Sequence, residues 1–340
     1  MTGPEASTTW REVIAPDEET QVRAFIDEIR RFQQSFADRG DGHARRSFHV
    51  KSHAALRGEF KVMDDIPAKA RHGLFETPRA FPAWVRLSNG FSAPMPDWFP
   101  DMIGWAVKLR NVPGVKLASE PALPDCQDFL SLNHAYLPVA DARQLVVMST
   151  ATGNLLTGAF QVLGRLGLAD GMRVIAWGLG WGLKRPFLRS ALSLDFHGLA
   201  PITLGPHAVK FKWASRQGPA RAPAWFRRNH LREDLHARLR AGDLRYDFLV
   251  QFYVDERRTP IDGAYAWRED DAPFVKLAEL IVPRCDPDGD QARADELHLD
   301  GMTFNPWHAL PAHRPIGNIQ RARRLVYEAS ARRSGRNTPA

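Results

Sequence analysis

Apolar positions recur first at helical and then at strand spacing. Over residues 18–36, Val22, Phe25, Ile26, Ile29 and Phe32 recur at three- and four-residue steps, predicting one amphipathic helix. Residues 1–18 before it are acidic and aromatic-poor, and a flexible tail is expected there. After a turn cluster at 38–42 the period falls to two. Residues 48–50, 60–62, 81–89 and 104–109, and later 208–213, 246–254 and 274–282, alternate and carry β-branched or aromatic side chains, predicting strands. From Asp141 the chain is predicted helical through Leu145–Met148 and 160–163, and 227–240 reads as a charged helix. The apolar run at 174–183 is too short to cross a bilayer. With Lys184, Arg185, Phe187 and Leu188 beyond it, the run reads as a core helix, and a membrane-surface segment over 174–188 is the alternative. A turn at 287–290 and the stretch 302–307 lead to a closing helix, with Pro315 suited to its first turn.

Composition narrows the setting. At 340 residues and 44% apolar content the chain can bury a sizeable core, and without a linker or repeat it is expected to form a single domain over 19–340. The formal charge of +7 comes from arginines spread along the chain and not from a basic block, so a solvated basic surface is expected and no nucleic-acid partner. Two cysteines, Cys126 and Cys285, give neither a disulfide framework nor a zinc spacing. The N-terminus lacks the basic and apolar regions of a signal peptide, so a cytoplasmic, reduced setting is expected.

Chemistry concentrates at two places. In the closing helix Arg323 and Tyr327 are four residues apart and share a face. That spacing fits a guanidinium stacked on or hydrogen-bonded to a phenol; it also fits a cation that favours the phenolate, a hard anionic ligand for ferric iron. Near the start of the strand region stand His49 and His53. A lone histidine there is by default a surface or hydrogen-bonded core residue, and a positioned base needs a partner on its second ring nitrogen.

Arg323-x-x-x-Tyr327 resembles the proximal motif of haem catalases, in which the tyrosine is the axial iron ligand. Upstream, Arg46-x-x-His49 is similar to the catalase segment with the distal histidine and a propionate-binding arginine. Arg86-x-Ser88 resembles the Arg-x-Ser whose hydroxyl orients that histidine and whose arginine meets a propionate. Asp101-x-x-Gly104 followed by Trp105-Ala106-Val107-Lys108 resembles the next family strand, with Asp101 where an acid lines the access channel. Residues 128–133 resemble the segment whose asparagine faces the distal pocket, here Asn133. The chain departs from the family at Leu132, His134 and Ala135, at Val146 where a phenylalanine stacks on the porphyrin, and at Glu328-Ala329-Ser330 after the tyrosine.

The resemblance covers about 45–327 and is closest to the small catalase-related haem peroxidases. It implies an α+β fold, an antiparallel β-barrel wrapped by helices with the proximal tyrosine on the C-terminal one. It also implies haem b held by Arg46, Arg86, Ser88, Arg323 and Tyr327, with Tyr327 on the iron and His49 and Asn133 as the catalytic pair; His53 ranks below His49. The implied substrates are hydrogen peroxide or an organic hydroperoxide with a small-molecule reductant. A fatty-acid hydroperoxide isomerase of the allene oxide synthase kind and a non-catalytic haem carrier or sensor are the alternatives. Paired His49 and Asn133 argue against the carrier, and homo-oligomerisation is left open.

Overall fold

In the chain's computed structural model, residues 5–37, 48–91, 93–118, 123–151, 155–219 and 227–334 are described. Among these residues nine antiparallel strands carry the architecture: β1 (Ser52–Val62), β2 (Ala80–Asn89), β3 (Ile103–Leu109), β4 (Gln127–Leu132), β5 (Phe196–Gly198), β6 (Ile202–Leu204), β7 (His207–Ser215), β8 (Leu244–Phe252) and β9 (Val275–Val282). Hydrogen bonding runs β5-β4-β3-β2-β1-β9-β8-β7, and β5 also pairs with β7, closing an eight-stranded barrel. The long β7 serves two partners: Phe196 meets Trp213 at one end, and Ile202 of β6 meets Val209 at the other.

Alternation decides which side chains fill the barrel, as period-two strands require. Phe60, Val85, Leu87, Trp105, Val107, Phe129, Trp213, Tyr246 and Phe248 all point inward and are almost wholly buried. Phe60 packs edge-on against Trp213 and Phe248, with ring centroids at 5.8 and 5.5 Å. So aromatic a filling leaves no passage through the barrel, and any site must lie against its outer face.

Among the described residues seven helices wrap that face: α1 (Glu18–Ala37), α2 (Ala142–Thr150), α3 (Leu155–Leu166), α4 (Leu168–Lys184), α5 (His230–Ala241), α6 (Asp290–Gly301) and α7 (Asn318–Ser334). Helix α7 begins at Asn318 and not at Pro315. Pro315 instead bridges to Ile202, and Gly317, at φ +91°, turns the chain so that the Asn318 amide donates to Asp262 Oδ1. Helices α1, α2 and α7 meet through Val22, Ala142 and Ala322.

The expected flexible tail is tied down where the structure describes it. Trp10 Nε1 donates to the Pro206 carbonyl, and Glu12 and Glu18 both pair with Arg321 of α7 at 2.6 and 2.5 Å. An acidic N-terminal stretch becomes ordered because the closing helix presents arginines to it.

Candidate functional site

Two cross-strand rows build one wall of the site on the outer face of β2, β3 and β4. Ser88 pairs with Gly104 and Gly104 with Leu132; Arg86 pairs with Ala106 and Ala106 with Leu130. Because the central members are glycine and alanine, the wall is flat, and a cavity of about 310 Å³ lies against it. Opposite stand Ala322, Arg323, Val326 and Tyr327 from one face of α7, with Leu145, Val146 and Met148 of α2 and Phe25 and Ile29 of α1.

His49 enters from the barrel side. The sequence reading puts it in a strand; the structure puts it just ahead of β1, at φ +59°, a left-handed conformation uncommon outside glycine. That turn is held by the His49 amide donating to the Gly90 carbonyl at 3.0 Å and by Arg86 donating to the His49 carbonyl at 2.9 Å. The ring then lies over Gly104, with Nδ1 3.1 Å from Ser88 Oγ. Strain at a residue so tightly held is the arrangement that functional sites keep.

On the facing wall Arg323 donates to the Tyr327 hydroxyl at 3.2 Å and its guanidinium carbon lies 5.3 Å from the ring centre. Its other arm donates to Gln320 Oε1 at 3.0 Å, which fixes the fork. Arg86 is nearly buried and also lies 3.5 Å from Asp300.

Of the residues singled out from sequence, the structure gathers His49, Arg86, Ser88, Arg323 and Tyr327 around one cavity. Arg46 lies outside the described residues. Asn133 is not brought in: its Oδ1 accepts from the Ile103 amide at 2.7 Å, and the position facing the cavity is Leu132. Since β4 ends at Leu132, the next side chain turns to the other side and closes the strand end. His53 is also elsewhere, fully buried with Nε2 2.9 Å from Asn89 Oδ1, in a network with Asp97, Lys51 and Arg185.

Asp101 sits behind the cavity wall at Gly90, accepting from the Phe91 amide at 2.9 Å. Burial raises its carboxyl to about 6, against the opposing pull of that amide and of the nearby Arg185. His134 lies between the rings of Trp177 and Trp181 at 4.6 and 4.5 Å, where burial lowers it to about 4. Sequence reasoning missed Thr303 and Phe304 as lining residues, whereas Leu132, a point of departure from the family pattern, does line the cavity. Gly104 carried a signal, since a glycine inside an alternating strand marks a close approach.

No family model matches the sequence, and no curated protein matches it either. Solved structures do match. They include a bacterial catalase (TM-score 0.60, 16% identity, 97% of this chain and 62% of the other), a fungal catalase (0.65, 14%, 97% and 65%) and catalase A from Saccharomyces cerevisiae (0.63, 13%, 98% and 67%). The fold is catalase-like. This catalase-like chain spans about two thirds of the length of those proteins, 62% to 67%. A barrel with helices on its outer face agrees with the α+β architecture that the sequence motifs implied.

Proposed function

We propose that the cavity binds haem and that the chain turns over peroxides there. The observation that carries this reading is the opposition of His49 and the Arg323–Tyr327 pair across one apolar cavity. The donor set fits: a phenol beside a guanidinium suits ferric iron, buried Arg86 suits a propionate, and the apolar lining of the cavity suits a porphyrin. When bound, the haem supplies the redox chemistry of peroxide cleavage.

The protein's own part is positioning and proton transfer. In the tautomer in which Nδ1–H of His49 donates to Ser88 Oγ, Nε2 is the basic nitrogen that takes a proton from a peroxide and returns it to the leaving oxygen. Arg86, bonded to the His49 carbonyl, holds the left-handed turn that aims the ring. Arg323 holds the Tyr327 oxygen in place as a ligand.

Among the described lining residues there is no asparagine or glutamine, so none of them offers a side-chain amide beside His49 to orient a small peroxide. Leu130, Leu132, Leu137, Leu145, Val146 and Leu199 make the cavity apolar, which supports organic hydroperoxides over hydrogen peroxide. The same lining supports the second reading, a hydroperoxide isomerase, in which the substrate is rearranged and no external reductant is used.

The test is to titrate the purified chain with ferric haem and measure turnover with hydrogen peroxide, an alkyl hydroperoxide and a lipid hydroperoxide. Tyr327→Phe is expected to hold haem loosely or not at all. A variant with an unchanged ferric spectrum would reject the assignment of the ligand, and absence of haem binding by the parent would reject the reading as a whole.

A further inference from the structure

The α3–α4 hairpin is apolar on both sides. Inward, Val162 and Val174 are buried in a cluster with Leu137 and Ile319, and Trp181 Nε1 donates to the Asp101 carbonyl at 2.9 Å. Outward, Leu168, Met172, Leu179 and Leu183 follow one another at steps of four, seven and four, which keeps them on one face of α4. Leu156 and Phe160 of α3 add to that outer surface. Leu156, Phe160, Leu168 and Leu183 are each at least 70% exposed. A surface helix ordinarily turns polar residues outward, and contiguous apolar exposure on this scale marks an interaction site.

Charge says which partner. Residues 155–194 contain Arg165, Arg173, Lys184, Arg185 and Arg189 against one carboxylate, Asp170. Arg185 turns inward, Arg173 pairs with Asp170 and Arg165 pairs with Glu28 of α1, whereas Lys184 and Arg189 are exposed at the end of the hairpin remote from the turn at Gly167. At the turn, Arg143 donates to the Arg165 carbonyl, adding a further cation. A two-fold contact between copies through this face would set like patch against like patch, bringing these cations together. An anionic lipid surface satisfies the apolar face and the cations at once. No helix among the described residues is long and apolar enough to cross a membrane, so the contact is with the surface.

We propose that the outer face of the α3–α4 hairpin docks this chain on anionic membrane surfaces, with Leu156, Phe160, Leu168, Met172, Leu179 and Leu183 entering the headgroup–acyl boundary. The inner face of the same hairpin packs on Met102, Leu132, Leu145 and Met148, which line the cavity. A docked chain therefore holds the hairpin itself between its cavity and the lipid. The docking does not depend on what the cavity binds.

The experiment is co-sedimentation of the full chain with vesicles of phosphatidylcholine alone and of phosphatidylcholine with phosphatidylglycerol, beside light scattering without lipid. The expected result is binding to the mixed vesicles, weakened by roughly tenfold in Leu179→Gln/Leu183→Gln and several-fold in Lys184→Glu/Arg189→Glu, and by raised salt in the parent. Leu297→Gln, an exposed leucine on α6, is the control and should bind as the parent does. All these positions are exposed, and circular dichroism checks that each variant folds. Failure to bind either vesicle, or equal binding by parent and Leu179→Gln/Leu183→Gln, would overturn the proposal. So would a dimer in solution that Leu179→Gln/Leu183→Gln converts to monomer without a change in sedimentation, because the face would then belong to a second copy.

Discussion

A methyl group on Gly104 would lie 2.5 Å from Cε1 and 2.6 Å from Nδ1 of His49. The ring and the strand beneath it are thus fitted to each other, and Gly104→Ala must push the ring off the wall or the strand out of register. The expected outcome is a folded protein, destabilised by about 1–3 kcal/mol, whose peroxide turnover falls on the order of 100-fold because the base has moved. Thermal melts and single-substrate turnover check it, and a variant with parent-like turnover would show that the ring position does not matter.

His49→Ala should keep haem and lose turnover, by ~10²–10⁴-fold, since its proposed task is to move protons and not to bind iron. Ser88→Ala should cost less and should change the pH profile of turnover, because Nδ1 loses the partner that fixes its proton. If His49→Ala cost less than about tenfold, the base would have to be sought elsewhere.

Leu132→Asn would set an amide beside Gly104, on the cavity side where the parent has the hydrocarbon side chain of leucine. Turnover of hydrogen peroxide should rise relative to a bulky organic hydroperoxide, read as the ratio of the two kcat/KM values. Asn133→Leu should leave that ratio unchanged and lower stability instead, since its carbonyl oxygen closes the strand end at Ile103.

Acid should destabilise the fold through its buried histidines. His53, His134, His197 and His313 are each lowered by burial to about 4, from an ordinary 6.5. Between those values the unfolded chain binds protons that the folded one refuses, so their contribution is present above about 6.5 and is lost as pH falls toward 4. Asp101 has the opposite sign: raised to about 6 from 3.8, it gives stability that is present below about 3.8 and lost as pH rises through 6. Asp262 and Glu256 are raised by burial too, but the four histidines, with Glu12, Glu18, Glu28 and Asp128 held low by their cationic partners, outweigh these three, and the melting temperature should fall from pH 6.5 downward. His134→Phe, which keeps a ring between Trp177 and Trp181, should flatten that slope; an unchanged slope would remove His134 from the account.

What the sequence disclosed depended on length and sidedness. Long alternating stretches such as 246–254 and 274–282 identify β8 and β9, because one face must fill the barrel. Strands β5 and β6, three residues each, are too short to show a period. Helix α6 escaped as well: its turns are charged almost all round, and it is held by Leu299 and by the Arg57–Asp295 pair, a contact 238 residues distant in sequence. At the site, Arg86 and Ser88 were legible because two residues along a strand share a face. Asn133 was misplaced by a single step, since one residue along a strand reverses the face. The left-handed turn at His49 depends on the carbonyl of Gly90 and the guanidinium of Arg86, which no local pattern announces.

The two walls of the cavity come from opposite parts of the chain, residues 49–132 on the barrel and 322–327 on α7, and the clasp on α7 is Arg321 with Glu12 and Glu18, some 300 residues away. Arg321 itself is not among the described residues that line the cavity, so the clasp holds the wall on α7 without being part of it. Arg321→Ala should therefore loosen the start of α7 while the barrel stays closed, read as faster proteolysis around 318–327 under conditions where the strands keep their parent-like protection.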